Sequence, residues 1–198
     1  NRGMYYFRRG MYQQAIDAFT MSIRLDSRFP DNFKVRGFAY RKLGQYQLAI
    51  TDYDKAIQLD PNSFYSYYER GLAYAELGQY ERAVQDYDKF IQVEKPTYGS
   101  PYYERGLAYA ELGQYERAVQ DYDKVIQIKP LYEPYNNRGA AYSGLGQYQR
   151  AIRTTTRRYS YTRNMPTPTT IVVLLTASWA KIRKQTLTKP KLVLMNYG

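Results

Sequence analysis

Aspartate pairs spaced two residues apart occur three times in this sequence and are its strongest candidates for acid–base chemistry or metal binding. The pairs are Asp52/Asp54, Asp86/Asp88 and Asp121/Asp123. Each pair lies in a segment with helical periodicity, and side chains two residues apart on a helix point in nearly opposite directions. Because the two carboxylates cannot share a proton, a metal ion or a substrate atom, we predict that they lie on a solvated or ion-paired helix face.

The composition removes most other catalytic side chains. The 198 residues include no Cys and no His, which excludes disulfides, thiol nucleophiles, imidazole bases and the usual zinc ligands. The recurring Leu-Gly-Gln-Tyr segments contain single glycines and lack the GxxxxGK pattern of a phosphate-binding loop. We therefore predict that the protein is not an enzyme and has no catalytic residue, no cofactor and no metal site.

Positive charge is concentrated at the C-terminal end. The net charge is +11, but residues 1–153 hold 21 Lys and Arg against 18 Asp and Glu, whereas residues 154–198 hold 8 basic residues and no acid. The 25 tyrosines could stack on nucleic-acid bases, yet most recur at helix-packing positions, which favours a core role. We expect no nucleic-acid partner; a basic helical-repeat nucleic-acid-binding protein is the alternative.

An internal repeat organises most of the chain. Residues 67–89 and 102–124 both read YYERGLAYAELGQYERAVQDYDK, and looser copies surround them. Each unit predicts two amphipathic helices, the first ending at a glycine such as Gly78 and the second beginning near Tyr80. Prolines such as Pro61 and Pro96 end the second helices, because the residue before proline disfavours the helical conformation. A single pair cannot bury its apolar face, so neighbouring pairs must stack.

Five columns of the repeat share residue type and spacing. They are Gly37/Gly71/Gly106/Gly139, Tyr40/Tyr74/Tyr109/Tyr142, Ala49/Ala83/Ala118/Ala151, Tyr53/Tyr87/Tyr122 and Pro61/Pro130. With its period of about 34 residues, the pattern resembles the tetratricopeptide repeat family over residues 1 to about 153. One departure is the arginine that precedes each glycine, where the family often has leucine. This arginine must extend to solvent or find a carboxylate.

The resemblance implies an all-α, right-handed solenoid of stacked antiparallel helix pairs, followed by a C-terminal tail that does not repeat. The units are a partial repeat 1 at 1–29, repeat 2 at 30–63, repeat 3 at 64–98, repeat 4 at 99–131 and an incomplete repeat 5 at 132–153. Because the sequence begins inside a first helix and without Met, it reads as a piece of a longer array. A truncated, non-functional fragment is thus a further alternative.

In this family, the first helix of each unit lines a concave groove that receives a peptide or a partner helix. The resemblance therefore implies a non-catalytic protein-interaction scaffold whose partner is a protein or a peptide. The corresponding positions are Lys34, Phe38, Arg41, Lys42, Tyr68, Leu72, Glu76, Tyr103, Leu107, Glu111 and Asn136. This surface is basic at the N-terminal end and aromatic or aliphatic in the middle, so we expect a peptide with acidic and apolar residues, anchored at Tyr68 and Tyr103.

The tail, residues 154–198, resembles a further repeat unit translated out of frame. Shifted by one base, residues 154–163, TTTRRYSYTR, can become DYDKAIQLDP, which is the sequence of residues 52–61. The agreement holds in register to Lys181. We expect residues 154–170 to be mostly irregular and residues 171–186 to be able to form a helix, with the incomplete fifth unit exposing an apolar face that favours self-association.

Location follows only from the lack of targeting signals. No secretory signal opens the chain, and the longest apolar run, residues 171–180, is half the length of a membrane span. We therefore expect no membrane span and favour the cytoplasm.

Overall fold

A computed structural model describes residues 2–128 and 132–159, apart from the side chains of residues 132, 133 and 155–159. This part of the chain is built from ten helices and contains no strand. The helices are α1 (Arg2–Arg8), α2 (Tyr12–Leu25), α3 (Pro30–Lys42), α4 (Tyr46–Leu59), α5 (Phe64–Glu76), α6 (Tyr80–Glu94), α7 (Ser100–Glu111), α8 (Tyr115–Ile128), α9 (Tyr132–Gly144) and α10 (Tyr148–Tyr159).

A glycine ends the turn of every helix pair. Gly78 has φ of +70°, and its backbone N–H donates to the Ala75 carbonyl at 2.9 Å, while the Gln79 N–H donates to the Tyr74 carbonyl at 2.9 Å. These are the bonds of a left-handed helix cap, which only glycine adopts without cost. The same conformation occurs at Gly10, Gly44, Gly113 and Gly146. The predicted role of these glycines is confirmed.

The second helices end in two different ways. Asp60, before Pro61, has the extended conformation expected of a residue that precedes proline. Lys95, before Pro96, instead has φ of +43° and ψ of +58°. Helix α6 thus ends before Pro96 as predicted, and Lys95 closes it as a left-handed cap, with its N–H donating to the Ile91 carbonyl.

Within each pair, a glycine of the first helix packs directly on an aromatic ring of the second. A Cβ atom added at Gly71 would lie 2.7 Å from Cε1 of Tyr87, closer than real Cβ contacts. A Cβ atom added at Gly106 would likewise lie 2.9 Å from Cε1 of Tyr122. The rings of Tyr53, Tyr87 and Tyr122 are thereby fully buried, which confirms that these repeating tyrosines form the core.

The helices fall into two compact units, α1 to α8 and α9 to α10. In the first unit, α1/α2, α3/α4, α5/α6 and α7/α8 pack as pairs, and each second helix also packs on the next first helix. The first helices α3, α5 and α7 additionally touch one another in succession. In the second unit, α9 packs on α10. The predicted all-α solenoid of stacked helix pairs is confirmed.

Helix α10 continues to Tyr159, beyond the predicted end of the fifth unit at residue 153. Residues 154–159 are thus helical rather than irregular. The physical reason is that helix propagation is cooperative, and the sequence has no glycine or proline between Gly146 and Pro166 to stop it. The expectations for residues 160–170 and 171–186 lie outside the described residues.

Candidate functional site

The first aspartate of each pair is buried and bound by the arginine that precedes the repeat glycine. Arg70 donates from Nε and Nη2 to the two carboxylate oxygens of Asp86 at 2.8 and 2.7 Å. Arg36 binds Asp52 and Arg105 binds Asp121 in the same bidentate way. Only 3% of each of these aspartates is exposed. The prediction of an ion-paired face is confirmed, and the arginine finds a carboxylate rather than solvent.

In the first two pairs, the second aspartate binds the arginine of the following unit. Arg70 Nη1 donates to Asp54 at 2.5 Å, and Arg105 Nη1 donates to Asp88 at 2.6 Å. Each arginine therefore joins its own unit to the preceding one. Burial raises the pKa of Asp86, against the opposing hydrogen bonds from Arg70. These ion pairs connect the helices of the solenoid, and the buried aspartates Asp52, Asp86 and Asp121 are engaged in them.

The basic end of the predicted groove is largely engaged within the protein. Phe38 packs edge-on against Phe7, with ring centroids 5.2 Å apart. The ammonium of Lys42 lies 5.1 Å from the centre of the Phe38 ring, and Lys34 forms an ion pair with Asp31 on the same helix. Lys42 is exposed, whereas Lys34 and Phe38 are half-buried.

The middle of the predicted groove combines half-buried rings with exposed acids. Tyr68 packs on Tyr87 and Phe90 at centroid distances of 5.9 and 5.1 Å. Tyr103 packs on Tyr122 in the same way, at 6.1 Å. The remaining predicted residues of this unit are Leu72 and Leu107, which are half-buried, and Glu76 and Glu111, which are exposed. Asn136 belongs to α9 in the second unit and is half-buried there.

Arg41, predicted as a groove residue, is bound to a buried glutamate of the next unit. Its guanidinium donates from Nε to Glu69 Oε2 at 2.9 Å, and Nη2 lies 2.8 Å from the same oxygen. The Tyr53 hydroxyl lies 3.5 Å from that oxygen as well. The side chain of Glu69 is 4% exposed and that of Arg41 is 15% exposed. Arg41 is therefore committed to the fold, and the groove is less basic than its sequence indicates.

Glu104 lies on the same first-helix layer as the predicted groove residues, and sequence reasoning missed it. It is half-buried on α7 and interacts electrostatically with the hydroxyls of Tyr68 and Tyr87. Burial raises the pKa of Glu104, and the carboxylate of Glu76 raises it further, while the guanidinium of Arg41 lowers it. Together with Glu76 and Glu111, Glu104 makes this part of the first-helix layer acidic.

Within residues 2–128 and 132–159, no three Asp, Glu, His or Cys side chains are grouped so as to hold a metal ion. None of the described helices has the length and hydropathy needed to cross a bilayer.

Stacked helix pairs with glycine-ended turns define the class of helical-repeat proteins. Models of the tetratricopeptide repeat family match residues 37–78, 64–96 and 100–131. Residues 37–131 are therefore a tetratricopeptide-repeat segment, and the predicted resemblance is confirmed. Comparison with curated protein sequences found no match.

Solved structures with the same fold include crystal structures of MamA. One is 26% identical in sequence with a TM-score of 0.76, and the match covers 81% of this chain and 94% of that chain. MamA from Desulfovibrio magneticus RS-1, from residue 41 to the end, is 24% identical with a TM-score of 0.77, over 83% of this chain and 93% of that chain. Family and fold together identify a protein-binding scaffold in general terms, of a kind that is typically non-catalytic.

Proposed function

We propose that the layer formed by the first helices α3, α5 and α7 binds an extended peptide segment of a partner protein. One observation carries the proposal: half-buried Tyr68, Leu72, Tyr103 and Leu107 recur along this layer with exposed Glu76 and Glu111 beside them. Aromatic and aliphatic anchors bordered by charged groups are typical of peptide-binding surfaces. We refer to this layer as the groove.

The acids of the groove indicate the chemistry of the peptide. Glu76, Glu104 and Glu111 lie in its middle and C-terminal parts, while Arg41 is neutralised by Glu69. This balance favours a peptide with apolar and basic residues over the acidic peptide expected from the sequence. It also disfavours a nucleic-acid partner, because phosphates would meet carboxylates in the groove.

The chain offers a matched pair of double variants to test groove binding. Glu76 and Glu111 are exposed acids at equivalent positions of the first helices, and Glu81 and Glu116 are exposed acids at equivalent positions of the second helices. Glu76→Lys/Glu111→Lys and Glu81→Lys/Glu116→Lys therefore change the net charge equally. They differ in the face that they alter and in their place in the helix, since Glu81 and Glu116 lie in first turns and Glu76 and Glu111 end their helices, so the melting temperature of each variant is measured alongside its affinity.

The experiment selects nine-residue peptides from a random phage-displayed library on the full chain and measures their affinity by fluorescence polarisation. We expect Glu76→Lys/Glu111→Lys to weaken the selected peptides about tenfold or more, and Glu81→Lys/Glu116→Lys to change their affinity less than twofold. Equal effects of the two double variants, or a library from which no peptide is selected, would contradict the proposal.

A further inference from the structure

Two equivalent glutamates of the first helices have different surroundings. Glu69 on α5 and Glu104 on α7 occupy the same column of the repeat, 35 residues apart, each directly before the arginine that binds the buried aspartate. Glu69 is paired with Arg41 of the preceding unit at 2.8 Å. Among the described residues, Glu104 has neither a hydrogen bond nor an ion pair. We call Glu69, which has its cation within the chain, the closed site. Glu104, which has no such cation among the described residues, is the open site.

The open site lacks the groups that close the other one. Ala75 stands 34 residues after Arg41, in the same column, so no guanidinium reaches Glu104 from the preceding unit. Ser100 stands in the column of Tyr65, whose pKa rises to about 12 through burial and the nearby Glu69 carboxylate. Two large side chains are thereby replaced by small ones. The guanidinium and the tyrosine that lie beside Glu69 therefore have no counterparts in the columns that serve Glu104.

An unsatisfied hydroxyl marks the same place. The Tyr87 side chain is fully buried, and its hydroxyl oxygen has no hydrogen-bond partner within the part of the chain that the structure describes. Its counterpart Tyr53 lies 3.5 Å from the Glu69 oxygen that accepts from Arg41. The Tyr87 hydroxyl, in turn, interacts electrostatically with Glu104. A buried polar atom without a partner is uncommon and calls for a missing ligand or water.

We propose that Glu104, with the hydroxyls of Tyr87 and Tyr68 beside it, is a specificity site that binds an arginine side chain of the partner peptide. The proposal rests on the groove function above and deepens it. In effect, the arginine of the partner takes the place that Arg41 occupies in the preceding unit. The protein therefore already contains one such contact, in which the Arg41 guanidinium donates from Nε to the equivalent carboxylate and forms an ion pair with it.

Charge and shape both favour arginine over other side chains. Glu76 adds negative potential next to Glu104, and the nearest fixed cation, Arg41, is already paired with Glu69. A guanidinium can donate to Glu104 and to a tyrosine oxygen at the same time, and it stacks well on an aromatic ring such as that of Tyr68. Lysine, a single donor centre on a flexible stem, should bind less well.

The test uses the selected nine-residue peptides and the full chain. We expect them to share an arginine, and its replacement by citrulline, which is uncharged but similar in shape, to weaken binding to the wild type about tenfold. Glu104→Gln should weaken the arginine peptide by a similar factor and bind the citrulline peptide as well as the wild type does. Ala75→Arg, which supplies the guanidinium from within the chain, should also weaken the arginine peptide about tenfold. Glu81→Gln is the matched control and should change affinity less than twofold.

Failure of the arginine site can be told apart from failure of the groove. If peptides bind and are lost in Glu76→Lys/Glu111→Lys, but citrulline and Glu104→Gln change nothing, the groove function stands and the arginine site is overturned. If selected peptides contain no shared arginine or lysine, the site is overturned as well. If Glu104→Gln abolishes self-association in sedimentation velocity without any effect on peptides, a second copy of the chain occupies the site, and the peptide proposal is wrong.

Discussion

Glu69 and Glu104 begin from nearly identical sequence, since one lies in YYERGLAYAE and the other in the same ten letters one unit later. The structure nevertheless gives them opposite roles. Glu69 is buried with Arg41 and Tyr53 and holds two units together. Glu104 lies near Glu76 and the hydroxyls of Tyr68 and Tyr87, and no arginine stands in the column that serves it, so we propose that its charge binds a group from outside the chain. The comparison teaches that the function of a repeat position is decided by the preceding unit, whose column holds arginine in one case and alanine in the other.

Removing the arginine of the closed site is expected to have the largest effect. Arg41→Ala leaves Glu69, whose side chain is 4% exposed, as a buried charge without its partner. We expect a loss of about 3 kcal/mol in the free energy of unfolding, measured by urea denaturation. Lys42→Ala, at the neighbouring exposed cation, should cost less than about 1 kcal/mol. Similar losses in the two variants would mean that Arg41 does not compensate the buried charge of Glu69 as described.

Neutralising the two glutamates should have effects of opposite sign. Glu69→Gln removes the charge that binds the Arg41 guanidinium and should cost about 2 kcal/mol. Glu104→Gln relieves a half-buried, unpaired charge next to Glu76 and should stabilise the fold by about 1 kcal/mol at neutral pH. Urea denaturation of both variants checks the signs. Destabilisation by Glu104→Gln would indicate a structural partner for this carboxylate.

A pH titration sharpens the same contrast. The folded-state pKa of Glu104 is raised above its ordinary value of 4.5, so the folded state holds the proton more strongly than the unfolded state does. The contribution of Glu104 to stability therefore falls as pH rises from about 4.5 through the raised pKa, and is constant above it. The stability gain from Glu104→Gln should be present at pH 7 and disappear below pH 4.5. A gain that stays the same at pH 4 would contradict the assignment.

A smaller effect is expected at the fifth helix pair. Thr154 is buried and stands 16 residues after Arg138, the spacing at which Arg36, Arg70 and Arg105 find their aspartates. The neutral threonine cannot accept the two hydrogen bonds that an aspartate would. The shifted reading frame can encode aspartate at this position. Thr154→Asp should raise the free energy of unfolding by about 1 kcal/mol, which is seen as a higher melting temperature. Thr154→Asn is the matched control, and an equal gain from both would argue against a restored ion pair.

Most of the fold could be predicted from the sequence, because residues that recur at the same position of each unit indicate which positions form turns and which form the core. Gly78 and its equivalents indicated the turns, and Tyr87 and its equivalents the core. For Arg70, the sequence predicted the kind of partner, a carboxylate, but not the residue. Periodicity alone does not show that the aspartate 16 residues later is the one in contact. The helical state of residues 154–159 was missed because the break in the repeat was read as a break in the helix.

The site was harder to predict, because pairing between units decides it. Arg41 was assigned to the groove from its position in the repeat. In the structure it instead binds Glu69, which comes 28 residues later in the chain. Glu104 was overlooked because it reads the same as Glu69. Aligning the Arg41/Ala75 column with the Glu69/Glu104 column would have shown the difference, but only once the structure had shown that these two columns touch.

The most direct test of this account is a crystal structure of the full chain bound to a selected arginine-containing peptide. The account predicts an extended peptide along α3, α5 and α7, with its guanidinium paired with the Glu104 carboxylate as Arg41 is paired with Glu69. A peptide bound on the second helices, or one in the groove with an apolar side chain against Glu104, would contradict it.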